Sequence, residues 1–149
     1  MRDELVTADW LKPETAQLIS EIEVTPPTVT FEKSMSLALG DRQIGLAHLG
    51  RAHTDSDIVI TVDDVLFAGD LIEVGAPPSF GDSFPAEWVE TLVLMAPICR
   101  GPVVPGHGDV VDRDFVEFQT EEIRRAVDGE AVYSEAVTAA IAERLASTA

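Results

Sequence analysis

The chain has 149 residues, of which 46% are hydrophobic and 25% are charged. A globular chain of this length buries roughly 70% of its unfolded surface, and its composition excludes a disordered, collagen-like or disulfide-built protein. Its 10 Lys and Arg residues against 27 Asp and Glu residues give a net charge of −17. A field of that sign repels phosphate groups, so we expect no nucleic-acid partner and no membrane partner.

Cys99 is the one cysteine, which excludes an intramolecular disulfide and a cysteine-based zinc knuckle. A lone cysteine after a helical segment is typical of a small buried hydrophobic side chain. No apolar segment follows Met1-Arg2-Asp3-Glu4, so we expect no signal peptide. No uncharged run reaches the ~18–20 residues that span a bilayer. We therefore expect a single cytoplasmic domain over residues 1–149.

The predicted elements begin with a short helix and continue as strands. Pro13 suits the first position of a helix, and the apolar spacing predicts that this helix continues to about Ile22. Period-two patterns then predict short strands, separated by tight turns at Gly40-Asp41 and Asp63-Asp64. The predicted strands cover residues 28–32, 34–39, 43–49, 57–62 and 65–68.

The second half of the chain is mostly helical. A helix is predicted over residues 85–96, with Ser83 as its N-cap and Trp88 on its apolar face. A short buried strand over 102–104 leads into Pro105-Gly106-His107-Gly108. Further helices are predicted over 113–127 and 134–145. This order predicts an α/β protein with mostly antiparallel strands and flanking helices rather than a doubly wound parallel sheet.

Four residues are candidates for chemistry. His48 lies within a predicted strand among apolar neighbours, which favours a structural histidine. His53, Asp70 and His107 each follow a buried strand, where a rigid scaffold presents ligands. Imidazole and carboxylate are the ligands that zinc and non-haem iron prefer, and a carboxylate can bridge two metals. A histidine or aspartate in a turn is more often only a turn residue, so the spacing alone leaves a metal site open.

Three segments stand in a recognisable order. They are Gly50-Arg51-Ala52-His53-Thr54-Asp55-Ser56-Asp57, Phe67-Ala68-Gly69-Asp70 and Pro105-Gly106-His107-Gly108. Together they resemble the later metal motifs of the metallo-β-lactamase superfamily, which implies the later half of an αββα sandwich. The resemblance implies that His53 binds one metal, His107 binds a second and Asp70 bridges both. It also implies that Asp57 does not bind metal itself but supports the first motif, which contains His53.

The earlier H-x-H-x-D-H motif of the superfamily is absent. No histidine precedes His48, and no His-x-His pair occurs. Ala52 and Ser56 also stand near positions where the family often has glycine. The resemblance therefore implies that an early part of the fold and several metal ligands are lacking. We expect a truncated or degenerate hydrolase in which binding of zinc, or of another divalent transition metal, is weak or absent.

The resemblance also implies the chemistry of a complete relative, which would hydrolyse a small ester, thioester or lactam with metal-bound hydroxide as the nucleophile. We expect little or no such activity from this chain alone. Two alternatives stay open. The first is an active enzyme whose missing ligands come from a second chain or a longer product. The second is a non-catalytic oligomeric or binding protein that retains the fold.

Strand apolarity predicts self-association. The segments Ile58-Val59-Ile60 and Val65-Leu66-Phe67 are apolar on both faces, so one face would be left uncovered if part of the fold is lacking. We therefore expect a homodimer. The alternative is that an N-terminal arm around Trp10 and Leu11 covers the sheet.

Overall fold

The computed structural model describes residues 12–23 and 25–148. The chain divides into two compact units, Met1–Thr30 and Phe31–Ala149. The prediction of a single domain over the whole chain stays a prediction.

Helix α1, in the first unit, spans Pro13–Ser20. It begins with proline because the missing N–H costs nothing in the first turn of a helix. The sequence predicted this helix to about Ile22, but it ends at Ser20, with Glu21 as its C-cap. Trp10 and Leu11, the predicted alternative cover of the sheet, lie outside the described residues.

Four strands open the second unit, each antiparallel to the next. They are β1 (Ser34–Leu39), β2 (Arg42–Ala47), β3 (Val59–Val62) and β4 (Val65–Glu73). The predicted turns join β1 to β2 and β3 to β4, and Gly40 and Asp63 adopt positive φ there. The strand predicted over residues 28–32 does not form. Within residues 12–23 and 25–148, β1 is the edge strand of the sheet, and residues 28–32 pair with no strand.

Helix α2 (Pro85–Met95) and a 3-10 turn (Ala96–Ile98) lead into β5 (Val103–His107), which is parallel to β4. The sheet has the order β1-β2-β3-β4-β5. Helices α3 (Arg113–Val127) and α4 (Glu135–Thr148) complete the unit. The predicted α/β arrangement with mostly antiparallel strands is confirmed. Among the described residues, every helix is too short or too polar to span a bilayer.

The start of α2 differs from the prediction. Phe84, not Ser83, is the N-cap residue, and no side chain caps this helix. Ser83 is buried; its hydroxyl donates to the carbonyl of Phe80, and its own carbonyl accepts a 2.7 Å bond from Arg144 Nε. These contacts hold Ser83 outside the helix, which Pro85 then begins.

One face of the sheet packs against the helices and forms the core. Val59, Leu66 and Val103 point to this face and are at most 1% exposed. Trp88 on α2 is fully buried among them, as the sequence predicted, and its indole N–H donates to the carbonyl of Leu71. The apolar residues that alternate onto this face therefore secure the sheet to its helical layer.

Cys99 belongs to the same core, as expected for a small buried hydrophobic side chain. Its S–H lies 3.5 Å from the carbonyl of Met95. Burial raises the pKa of the thiol above its ordinary value, and nearby Arg113 offsets this in part. The thiol therefore stays protonated at neutral pH, in the form that is a poor nucleophile.

The opposite face of the sheet is apolar and open. Residues that oppose one another across paired strands point to the same face, so the strand register places ten apolar side chains together. None of the ten is buried. We call this set the apolar face; its members are Met35, Leu37, Leu39, Ile44, Leu46, Ile60, Val62, Val65, Phe67 and Val104.

Candidate functional site

Asp70 and His107 form a pair at one end of the two parallel strands. His107 Nε2 lies 3.4 Å from Asp70 Oδ1, and both side chains are accessible to solvent. The sequence placed Asp70 just after a strand that ends at residue 68 and His107 just after a strand that ends at 104. Both positions were wrong, because pairing with β5 extends β4 to Glu73 and β5 itself ends at His107. The pair is therefore held by sheet backbone rather than by a loop.

The glycines beside His107 make this arrangement possible. A Cβ on Gly106 would clash with Asp70 Oδ1 and would lie 2.9 Å from the backbone N of Asp70. Gly108 has a φ of +90°, and a Cβ there would clash with the backbone of Val74. The carbonyl of His107 accepts a 3.0 Å bond from Val74 N–H, so the backbones of β4 and β5 approach closely at this point. Glycine at positions 106 and 108 is thus required for the close packing that brings Asp70 and His107 together.

Replacing Gly106 with alanine should destabilise the chain by about 1–3 kcal/mol, the usual cost of overpacking. The aspartate side chain can rotate away from the added methyl group, but the backbone N of Asp70 cannot. Urea unfolding measures the effect. Gly81→Ala is the matched control, because a Cβ there meets no atom within 4 Å. Equal stability of the two variants would contradict the clash.

His53 lies apart from any strand, in the loop between β2 and β3. Its ring packs edge-on against Trp88, with ring centroids 5.7 Å apart. Its Nδ1 lies 4.0 Å from Asp57 Oδ1. The Asp57 carboxylate also accepts 2.9 Å bonds from the backbone N–H and the hydroxyl of Thr54. Asp57 therefore organises the loop that carries His53, in keeping with its expected supporting position.

The three predicted ligands are not assembled into one cluster. Within residues 12–23 and 25–148, no group of three or more His, Cys, Asp or Glu side chains is arranged to hold a metal ion. Asp70 and His107 are brought together, whereas the acidic neighbour of His53 is Asp57. His48 contacts the backbone of the same loop, with its Nδ1 3.0 Å from the carbonyl of Asp57, as a structural histidine would.

Arg51 is a positioning residue that the sequence analysis missed. Its guanidinium makes two bonds, of 2.8 and 2.6 Å, to the carboxylate of Glu87 on α2. It also lies over the ring of Phe84, 4.4 Å from the centroid. Thr91 on α2 donates to the carbonyl of Arg51 at 3.0 Å. The loop of His53 is thereby attached to α2, a connection that no sequence spacing reveals.

Solved structures resemble this chain, although no protein-family model and no curated protein matches it. A metallo-β-lactamase from Pontibacter korlensis matches with a TM-score of 0.62 and 24% identity, over 75% of this chain and 55% of that one. The fold is that of the metallo-β-lactamases. The metallo-β-lactamase FIM-1 from Pseudomonas aeruginosa, in its mono-zinc form, matches with a TM-score of 0.58 and 21% identity, over 76% and 52%. DIM-1 matches with a TM-score of 0.60 and 20% identity, over 76% and 55%.

The resemblance to metallo-β-lactamases that the motifs indicated is thus confirmed at the level of the fold. At identities of 20–24% the likeness extends to the fold alone. The chain spans about half the length of these metallo-β-lactamases, 52–55% of each.

Proposed function

We propose that this chain is a partial or degenerate metallo-β-lactamase-fold hydrolase that does not turn over substrate alone. The proposal is carried by the Asp70–His107 pair, which sits on the two parallel strands with a glycine on each side of the histidine. Two potential ligands are thus held by strands of the sheet rather than by turns. The substrate of a complete site would be a small ester, thioester or lactam.

The residues present do not fit a catalytic zinc site. Such a site uses three protein ligands and leaves one position for water. The Asp70–His107 pair supplies two donors, and no cluster of three or more exists among the described residues. His53 completes no such cluster, because its ring is held beside Asp57 and Trp88. No step of a hydrolysis is therefore assigned to these residues.

Purified chain should retain well under one equivalent of transition metal after dialysis against a mild chelator. Two donors give weaker binding than the three or four of structural and catalytic zinc sites. Elemental analysis measures the retained metal, and calorimetric titration with Zn²⁺ measures what binds afterwards. Any heat of binding should be lost in Asp70→Asn and in His107→Ala, and kept in the control His48→Ala.

Hydrolysis is tested with a chromogenic cephalosporin and a thioester in the presence of added Zn²⁺. We expect no turnover above that of the His107→Ala variant. Close to two tightly bound metals per chain, with turnover that Asp70→Asn abolishes, would contradict the proposal. That result would mean that other residues complete the site.

A second candidate function is a non-catalytic oligomeric protein that retains the fold. The observation that favours it is the apolar face, ten side chains of which none is buried. The oligomeric state of the metal-free chain distinguishes the two candidate functions. A chain of the second kind would form a stable oligomer in the absence of metal, whereas the first candidate requires no association.

A further inference from the structure

Four aromatic rings form a continuous row from the last helix to His53. The ring of Tyr133, in the connection that leads into α4, packs on Phe80 with ring centroids 5.9 Å apart. Phe80 packs on Trp88 at 5.4 Å, and Trp88 packs on His53 at 5.7 Å. Phe80 and Trp88 are both buried. Because a close-packed core has little space into which one ring can move alone, a displacement of Tyr133 has to be accommodated along the row.

A second connection between α4 and the loop of His53 is polar. Arg144 on α4 donates from Nε to the carbonyl of Ser83 at 2.7 Å. Phe84, the next residue, donates its backbone N–H to the carbonyl of Ala52 at 2.7 Å. Ala52 is fully buried and directly precedes His53. The polar contacts thus lead from α4 through residues 83 and 84 to the backbone beside the candidate ligand.

Arg144 is directed to backbone rather than to a carboxylate. The chain has 27 Asp and Glu residues, yet within the part of the chain that the structure describes none of them forms an ion pair with Arg144. The guanidinium instead donates to the carbonyls of Ser83 and, at 3.2 Å, Asp82, and it lies 5.5 Å from the centroid of the Phe84 ring. Ser83 is fully buried, so its carbonyl depends on a protein donor. Arg144 is therefore a positioning residue for residues 82–84.

Helix α4 itself is weakly held. Over its described length, Ile141 is its one buried residue, whereas α2 and α3 have five each. The Tyr133 hydroxyl is buried without a hydrogen-bond partner among residues 12–23 and 25–148. Burial, and next the charge of Glu122, raise the pKa of Tyr133, so the hydroxyl keeps its proton and lacks an acceptor. A buried polar group without a partner is destabilising, and elements with few buried contacts open at lower free energy than the core.

We propose that α4 is a conformational switch for the loop of His53. In the docked state, α4 holds the ring of His53 against Trp88; in the undocked state it releases the loop while the sheet and α3 stay folded. Arg144 favours the docked state, and the hydroxyl of Tyr133 favours the undocked state. The coupling joins residues of this chain and requires neither metal nor substrate. It therefore goes beyond the proposed function and does not depend on it.

Amide hydrogen exchange followed by NMR, with EDTA present, tests the switch independently of metal. The reporters are the N–H groups of Ala52, which donates to the carbonyl of Thr54 at 2.9 Å, and of Phe84. Arg144→Met keeps the apolar stem and removes the guanidinium, so it should lower the protection of both amides at least ~10-fold. The amide of Ile123, fully buried on α3, should change by less than ~2-fold because local opening of α4 does not expose it.

Tyr133→Phe should act in the opposite direction. It keeps the ring and removes the unpartnered hydroxyl, so protection at the two reporter amides should rise ~3-fold or more. The matched control is Arg113→Met, because the guanidinium of Arg113 pairs with Glu117 on its own helix. This control should leave both reporters unchanged. The ring-proton resonances of His53 should shift in Arg144→Met, whereas those of His107, on β5, should stay in place.

The size of the loss at Ile123 decides between a switch and ordinary stabilisation. Equal losses at Ala52 and Ile123 would show that Arg144 only stabilises the whole fold, and would overturn the proposal. Unchanged protection at Ala52 in both Arg144→Met and Tyr133→Phe would overturn it as well. Arg144→Lys keeps the charge and a donor, so its effect should have the same direction and a smaller size. If Arg144→Met does not fold, the decision rests on Arg144→Lys and Tyr133→Phe.

Discussion

Trp88→Ala should lower the free energy of unfolding by about 3–5 kcal/mol. The indole is fully buried between the sheet and the helices, and its ring contacts those of His53 and Phe80. Removing it leaves a cavity in the centre of the core, and the sheet cannot collapse to fill it. Domains have only ~5–15 kcal/mol of stability in total, so this one substitution removes a large share. Urea unfolding at fixed protein concentration measures the effect.

The control is Val93→Ala, on the same helix but at a side chain that is 51% exposed. It should change stability by less than about 0.5 kcal/mol. Trp88→Phe should fall between the two, because a ring remains in the core. The carbonyl of Leu71, which loses the indole N–H, still accepts a bond from Gln119 Nε2. A loss below 1 kcal/mol for Trp88→Ala would contradict the central position of the indole.

Gln119→Leu should cost about 1–3 kcal/mol, the usual cost of leaving one buried group without a partner, which here is the N–H of Glu73. Gln119 is 2% exposed on α3 and contacts the backbone of β4 in two ways. Its amide Nε2 donates to the carbonyl of Leu71 at 2.9 Å, and its Oε1 accepts from the N–H of Glu73 at 3.1 Å. A leucine of similar volume fills the space but leaves the N–H of Glu73 without this acceptor, whereas the carbonyl of Leu71 still accepts from the Trp88 indole. Thermal and urea unfolding measure the loss.

Gln119→Glu gives this prediction a pH dependence. Its carboxylate can still accept from Glu73 N–H, but in the ionised form it cannot donate to the carbonyl of Leu71. Burial disfavours the ionised form, so the carboxyl pKa is higher in the folded state than in the unfolded state. The variant's deficit relative to wild type should therefore be larger at pH 7 than near pH 4. Gln43→Glu, on an exposed position of β2, should show no such dependence.

Local signals were enough to predict much of the fold. Helix α3 matches its predicted bounds because Asp112 caps its start, accepting from Phe115 N–H, and Asp128 follows its last residue. The hairpin turns at Gly40 and Asp63 were predicted for the same reason, since the residues that favour the turn are adjacent in sequence. An element can therefore be predicted from the sequence when all the residues that determine its bounds lie within one short segment.

The predictions were wrong where a partner distant in the sequence determines the local structure. β4 runs to Glu73 rather than to residue 68 because β5 pairs with it beyond Gly69. Ser83 is not a cap because Arg144, far along the chain, binds its carbonyl. Neither β5 nor Arg144 can be inferred from the local sequence of the segment whose structure it determines.

The candidate site could likewise be predicted only in part. The resemblance implied that Asp70 and His107 bind one metal together, and their side chains lie 3.4 Å apart in the structure. The position of His53 could not be predicted, because it depends on the edge of the Trp88 ring and on the attachment of Arg51 to Glu87. Whether all three bind metal stays a prediction.

The connection from β4 to β5 has a consequence for the order of folding. β1–β2 and β3–β4 are hairpins whose turns close over adjacent residues, so they can form early. The parallel pair β4–β5 forms only after the intervening segment, which includes α2, has crossed the sheet. We therefore expect the Asp70–His107 pair to be among the last contacts made. A chain arrested before that step would have most of its sheet and none of its candidate site.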